Sequence, residues 1–113
     1  MKQQSSDFYR PGGWQPRVDV YRCADGLLVK LELAGIAEHD VKISTQKDKL
    51  IVEGKRRDWC ISDNETLLSM EITYDWFKRI IPLPEAIEMS VVRTEYHNGM
   101  LLVYLTTDKD NAR

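Results

Sequence analysis

In this chain of 113 residues the side chains suited to catalysis or metal binding are few, and their spacing does not group them. His39 and His97 are the only histidines, and no His-x-His, His-Glu-x-x-His or Cys–His spacing accompanies either one. Both read as solvated turn residues, and no metal site is expected. Cys23 and Cys60 are too far apart to form a close metal-ligand pair. In a reducing compartment such thiols are more often inert than bridged, although Cys60 lies in an expected loop and is open to reaction. Serine, histidine and aspartate all occur, but without a Gly-x-Ser-x-Gly elbow a triad has no support. Asp108 and Asp110 fall in a frayed tail, where carboxylates solubilise. Gly54 and Gly99 read as single turn glycines, not as parts of a phosphate-cradling loop. No active site and no cofactor are expected.

Two constellations call for a closer reading. The cluster GKRRDW, residues 54 to 59, mixes base and aromatic, and could hold a phosphate backbone while Trp59 stacks on a base. A solvated loop is the competing reading, and the net charge of −2 favours it, so nucleic acid is not expected as a partner. Arg79 shares one strand face with Phe77 and Ile81 in DWFKRIIPLPE. An unpaired buried guanidinium would be too costly, so Arg79 either snorkels to the edge of the domain or pairs with a carboxylate of a neighbouring strand or subunit, with Glu71 a candidate.

The elements that must position these residues follow from periodicity. The length is that of one domain, and 42% hydrophobic with 30% charged residues is an ordinary globular composition. Residues 1 to 16 read as a short arm carrying Phe8, Tyr9 and Trp14. They lack the apolar core of a signal peptide, and no segment approaches the roughly 20 apolar residues of a membrane span, so a cytoplasmic protein without membrane contact is expected. From Arg17 the pattern has period two: Val18 and Val20, the turn ADG, then Leu27, Val29, Leu31 and Leu33. IAEHD is expected to make one helical turn, followed by alternating Val41, Ile43 and Thr45, and LIVEG at 50 to 54. A polar loop covers 55 to 66, and Leu68, Met70 and Ile72 alternate after it. Proline stops the next strand near Pro82. MSVVRTEY, an Asn-Gly turn and MLLVYL form the last hairpin. About eight short strands without an amphipathic helix predict an all-β, immunoglobulin-like β-sandwich over residues 17 to 107, with a short tail at 108 to 113.

Met100 to Leu105 are apolar without a break. Leu101, Val103 and Leu105 are assigned to the core, which turns Met100, Leu102 and Tyr104 outward beside Leu28. Either the arm folds back and covers this stripe with Phe8, Tyr9 or Trp14, or the stripe is a protein-binding surface.

Taken in order, these segments resemble the α-crystallin domain of the small heat shock proteins, the Hsp20 family. WQPRVDVYR is similar to the family's first strand, LELAGIAEHDVKI to its third-strand region, and LIVEGKR to the strand that follows. YDWFKRIIPLP resembles its Tyr-Gly-x-Phe-x-Arg segment, and TEYHNGMLLVYL its Ala-x-Tyr-x-Asn-Gly-Val-Leu signature, with Asp75, Thr94 and Met100 departing from the usual residues. The resemblance implies an ATP-independent holdase that binds partly unfolded proteins. The alternative is a non-catalytic interaction module of the related co-chaperone type. It also implies a homodimer, in which a strand at 66 to 72 is exchanged and Leu68, Met70, Glu71, Ile72 and Arg79 form the interface. Between the strands at 41 to 45 and 90 to 96 it implies a groove that receives a tail motif, with Val41, Ile43, Val91 and Val92 as lining. TTDKDNAR holds no Ile-x-Ile, so assemblies of no more than a few dimers are expected.

Overall fold

The computed structural model describes residues 13–59, 62, 64–84 and 89–107. Seven strands are present among them: β1 (Val18–Arg22), β2 (Gly26–Glu32), β3 (Val41–Gln46), β4 (Lys49–Lys55), β5 (Trp76–Pro82), β6 (Met89–His97) and β7 (Met100–Thr107). The IAEHD segment makes a single 3₁₀ turn over Glu38–Asp40. All pairings are antiparallel and build two sheets, in the orders β1-β2-β7-β6 and β3-β4-β5.

Alternation decides what each sheet buries. Leu27, Val29 and Leu31 of β2 and Leu101, Val103 and Leu105 of β7 face Leu50 and Val52 of β4 and Phe77 and Ile81 of β5, all nearly inaccessible to solvent. The expected inward set of β7 is therefore correct. Proline ends β5 at Pro82, as expected, and Leu83 N–H then donates to Asp48 O at 2.7 Å. Two-residue turns close the β3–β4 and β6–β7 hairpins. Lys47 has a φ of 57° between β3 and β4, and Asn98 and Gly99 have φ of 49° and 83° between β6 and β7, the left-handed pair that a tight β-hairpin turn requires.

Gly54 departs from its reading as a turn glycine. It lies inside β4, opposite Val41 and Phe77. A Cβ there would stand 2.3 Å from the Asp40 carbonyl oxygen, so glycine is needed for the 3₁₀ turn to cross the strand. The segment at 68 to 72 also departs, because in the single chain it forms no strand. A strand exists only against a partner edge, and among the described residues no edge engages this backbone.

Candidate functional site

β3 and β6 are edges of opposite sheets and do not pair, so their inward side chains line an open seam of about 220 Å³. Val41 and Ile43 form one wall and Thr94 and Tyr96 the other, over a floor that includes Leu33 and Leu101. Tyr96 is fixed by its hydroxyl, which donates to Leu33 O at 2.6 Å. The expected residues Val41 and Ile43 are thus in place. Val91 stands opposite Leu105, and the register shifts between Val91 and Arg93, which makes a β-bulge at Val92; the side chains of Val91 and Val92 lie outside the described residues. Beyond the bulge Thr94 and Tyr96 fall opposite the core residues Val103 and Leu101. The sequence reading missed this wall, although a signal was present. Continuing the alternation from Val91 would have turned Arg93 and Glu95 inward, and only an extra residue avoids that.

The outer face of the four-stranded sheet carries the predicted stripe. Leu28 pairs with Tyr104, and Leu102 lies between Lys30 and Glu95. Leu28, Met100, Leu102 and Tyr104 are all half-buried. Arg93 lies 3.8 Å over the Tyr104 ring and donates from Nε to Glu95 at 3.0 Å, while His97 Nε2 is 3.2 Å from the other Glu95 oxygen. The Arg93 hydrogen bond, helped by His97, holds the Glu95 carboxyl below the usual carboxylate range. The stripe is therefore flanked by a charged network. Trp14 does not cover it. Its ring meets Phe77 edge-on at a centroid distance of 5.2 Å, and the Arg56 guanidinium stacks on it at 3.8 Å. Phe8 and Tyr9 lie outside the described residues.

The neck of the loop between β4 and β5 is closed by the arginines of the basic cluster. Arg56 donates through its backbone N–H to Asp75 O at 3.1 Å, through Nε to Thr73 O at 2.9 Å and through Nη1 to Ala34 O at 3.1 Å. Arg57 pairs with Asp40 at 3.0 Å. Both guanidiniums are engaged within the fold, which weakens the phosphate-binding reading of GKRRDW. Beyond the neck, Leu68 is 93% exposed, and Leu67, Met70 and Ile72 are exposed with it. Such a run of large apolar side chains in water is not part of the core. Arg79 is half-buried, and its Nη1 donates to Pro16 O at 2.5 Å. Within the chain a backbone carbonyl of the segment before β1 thus meets it, no ion pair with Glu71 is present among the described residues, and the half-buried side chain keeps part of its surface in solvent.

His39 is well exposed, Cys23 is an exposed free thiol, and Cys60 lies outside the described residues. Among the described residues no group of three histidine, cysteine or acidic side chains could hold a metal.

The same arrangement occurs in known proteins. A heat shock protein 16.0 structure from Schizosaccharomyces pombe matches with a TM-score of 0.69 and 25% identity, covering 83% of this chain and 87% of that one. HSP18.5 from E. histolytica matches with a TM-score of 0.66 and 26% identity, over 83% and 88% of the two chains. In sequence, a probable 15 kDa heat shock protein of Leptospira interrogans is 32% identical over 94 residues, which is 83% of this chain and 71% of that protein. The Hsp20/alpha crystallin family profile matches residues 19–113. Two antiparallel sheets, the seam between their edge strands and this match lead to one conclusion: the chain belongs to the Hsp20/alpha crystallin family.

Proposed function

We propose that the protein is an ATP-independent holdase, which binds partly unfolded chains on apolar surface and keeps them from aggregating. The observation that carries this reading is the coexistence of a closed core with apolar side chains held at the surface, in the β3–β6 seam and on the Leu28, Leu102, Tyr104 stripe. A contiguous apolar surface that the core does not use is a protein-binding surface. The heat shock proteins among its relatives support the same reading.

Exchange of residues 66 to 72 between two subunits is part of the proposal. Leu68, Met70 and Ile72 keep a strand's alternation while exposed, and β1 offers an edge whose Val20 and Tyr21 are exposed. Backbone pairing at such an edge would satisfy both.

The test is light scattering from a heat-labile client. The protein should delay aggregation, and the double variant Leu102→Asp with Tyr104→Ser should weaken that protection. Both side chains lie outside the core, so the double variant should cost about 1 kcal/mol or less, mostly the Arg93–Tyr104 contact. Outright unfolding would show that the stripe is core. Unaltered aggregation with the unmodified protein would favour the non-catalytic interaction module.

The seam makes a separate prediction. A peptide carrying Ile-x-Ile should bind there, and Thr94→Trp, which fills the opening, should weaken binding at least about tenfold, or roughly 1.4 kcal/mol. Equal binding by the variant in a fluorescence titration would remove the seam as the site.

A further inference from the structure

The outer face of the three-stranded sheet has a different chemistry from the stripe. Leu50 and Val52 point into the core, so Lys49, Ile51, Glu53 and Lys55 of β4 point out. The register sets Ile51 beside Ser44 and Ile80, Glu53 between Lys42 and Lys78, and Lys55 beside Trp76. Ile51 and Ile80 thus form an apolar centre bordered by Lys42, Lys49, Lys55 and Lys78; Glu53 lies among them, and Asp48 answers Lys49 at 3.5 Å. The whole chain has a net charge of −2, so positive charge is segregated here. On the four-stranded sheet the stripe instead lies among Lys30, Arg93, Glu32 and Glu95.

One end of the face opens into a cleft of about 360 Å³, whose lining includes Lys42, Lys55, Arg57 and Trp76 together with the carboxylates of Asp40 and Glu53. Arg57 is committed to Asp40. Lys55 Nζ stands 5.5 Å from the centroid of the Trp76 ring. The buried indole N–H of Trp76 has no acceptor among the described residues. The cations of this wall outnumber its carboxylates, because Asp40 is answered by Arg57 and Glu53 alone faces Lys42 and Lys55.

We infer that this face is a second binding surface, which takes extended polypeptide segments alternating acidic with apolar residues. The argument is complementarity of charge and of spacing. Side chains on one side of an extended chain repeat at the same interval as the outward residues of β4 and β5, so carboxylates and apolar groups can meet lysines and isoleucines in register. An anionic membrane fits less well. Ile51 and Trp76 are half-buried, so Ile80 is the one well-exposed apolar side chain of the three and too small a wedge for the acyl layer, and Glu53 would repel a uniform sheet of phosphates.

Binding can be measured apart from chaperone activity, so this inference and the holdase proposal can fail separately. A fluorescent peptide alternating Glu with Leu should bind at low salt, and one alternating Lys with Leu should not. Salt should weaken the complex. Lys42→Glu with Lys78→Glu, and separately Ile51→Ser with Ile80→Ser, should each weaken binding at least about tenfold. Arg17→Glu, which lies off this face, should leave it unchanged. All these positions point to solvent, and circular dichroism melts verify that each variant is folded. A photoreactive group on the peptide should mark residues 42–55 and 76–80. Equal binding of both peptides, retention by the charge-reversal variant, or marking of the seam or stripe would overturn the inference. So would binding of phosphatidylserine vesicles through the same lysines while the acidic peptide does not bind.

Discussion

Replacing Phe77 by alanine should destabilise the domain by about 3 to 5 kcal/mol, the range for truncating a buried aromatic residue that leaves a cavity. Phe77 is 1% exposed and packs between the sheets. It also seats the edge of Trp14, which in turn carries Arg56, the residue that closes the neck of the long loop. The variant should therefore lose core packing and loosen the loop neck together. The control lies on the same strand: Ile80 is 50% exposed, and Ile80→Ala should shift stability by no more than about 0.5 to 1 kcal/mol. Urea midpoints for the two variants measure the contrast. Similar small losses for both would mean that the face assignment of β5 is wrong.

Deleting residues 58 to 70 should convert the proposed dimer to a monomer while leaving the sandwich folded. β4 and β5 are antiparallel neighbours whose pairing ends at Lys55 and Trp76. The Arg56 N–H to Asp75 O hydrogen bond continues that closure, so a shortened loop can join the strands as a plain hairpin. Loop closure varies only slowly with length and should change stability by about 1 kcal/mol or less. Dimerisation, in contrast, would lose residues 66 to 70 of the exchanged segment, including Leu67, Leu68 and Met70, and would keep only Glu71 and Ile72. Sedimentation velocity across a range of concentrations gives the answer. A tight dimer of the deleted chain would rule out exchange as the source of association.

Much of the fold was legible because alternation is strict where a strand has one dry face. Val29, Leu31, Leu50, Val52, Val103 and Leu105 are spaced by two and all reach the core. Asn98 and Gly99 announced their turn, and Pro82 its strand end. What could not be read depends on contacts distant in sequence. Gly54 is fixed by the Asp40 carbonyl that crosses it. Arg56 looked like part of a solvated cluster, but its partners Ala34, Thr73 and Trp14 come together only in three dimensions. The seam was half legible. Val41 and Ile43 follow from their alternation, whereas the bulge at Val92 moved the opposite wall to Thr94 and Tyr96. Residues 68 to 72 have a strand's pattern without a strand's partner, because the pattern records which face is apolar, while the strand itself requires another edge.

The proposed holding of clients on the apolar surface of a folded sandwich needs no nucleotide chemistry. Aggregation of a heat-labile client, followed by light scattering at increasing molar ratios of this protein with and without ATP and magnesium, measures it. Protection should rise with the ratio, and the paired curves should coincide. Protection that requires ATP, or aggregation that proceeds unchanged at every ratio, would contradict it.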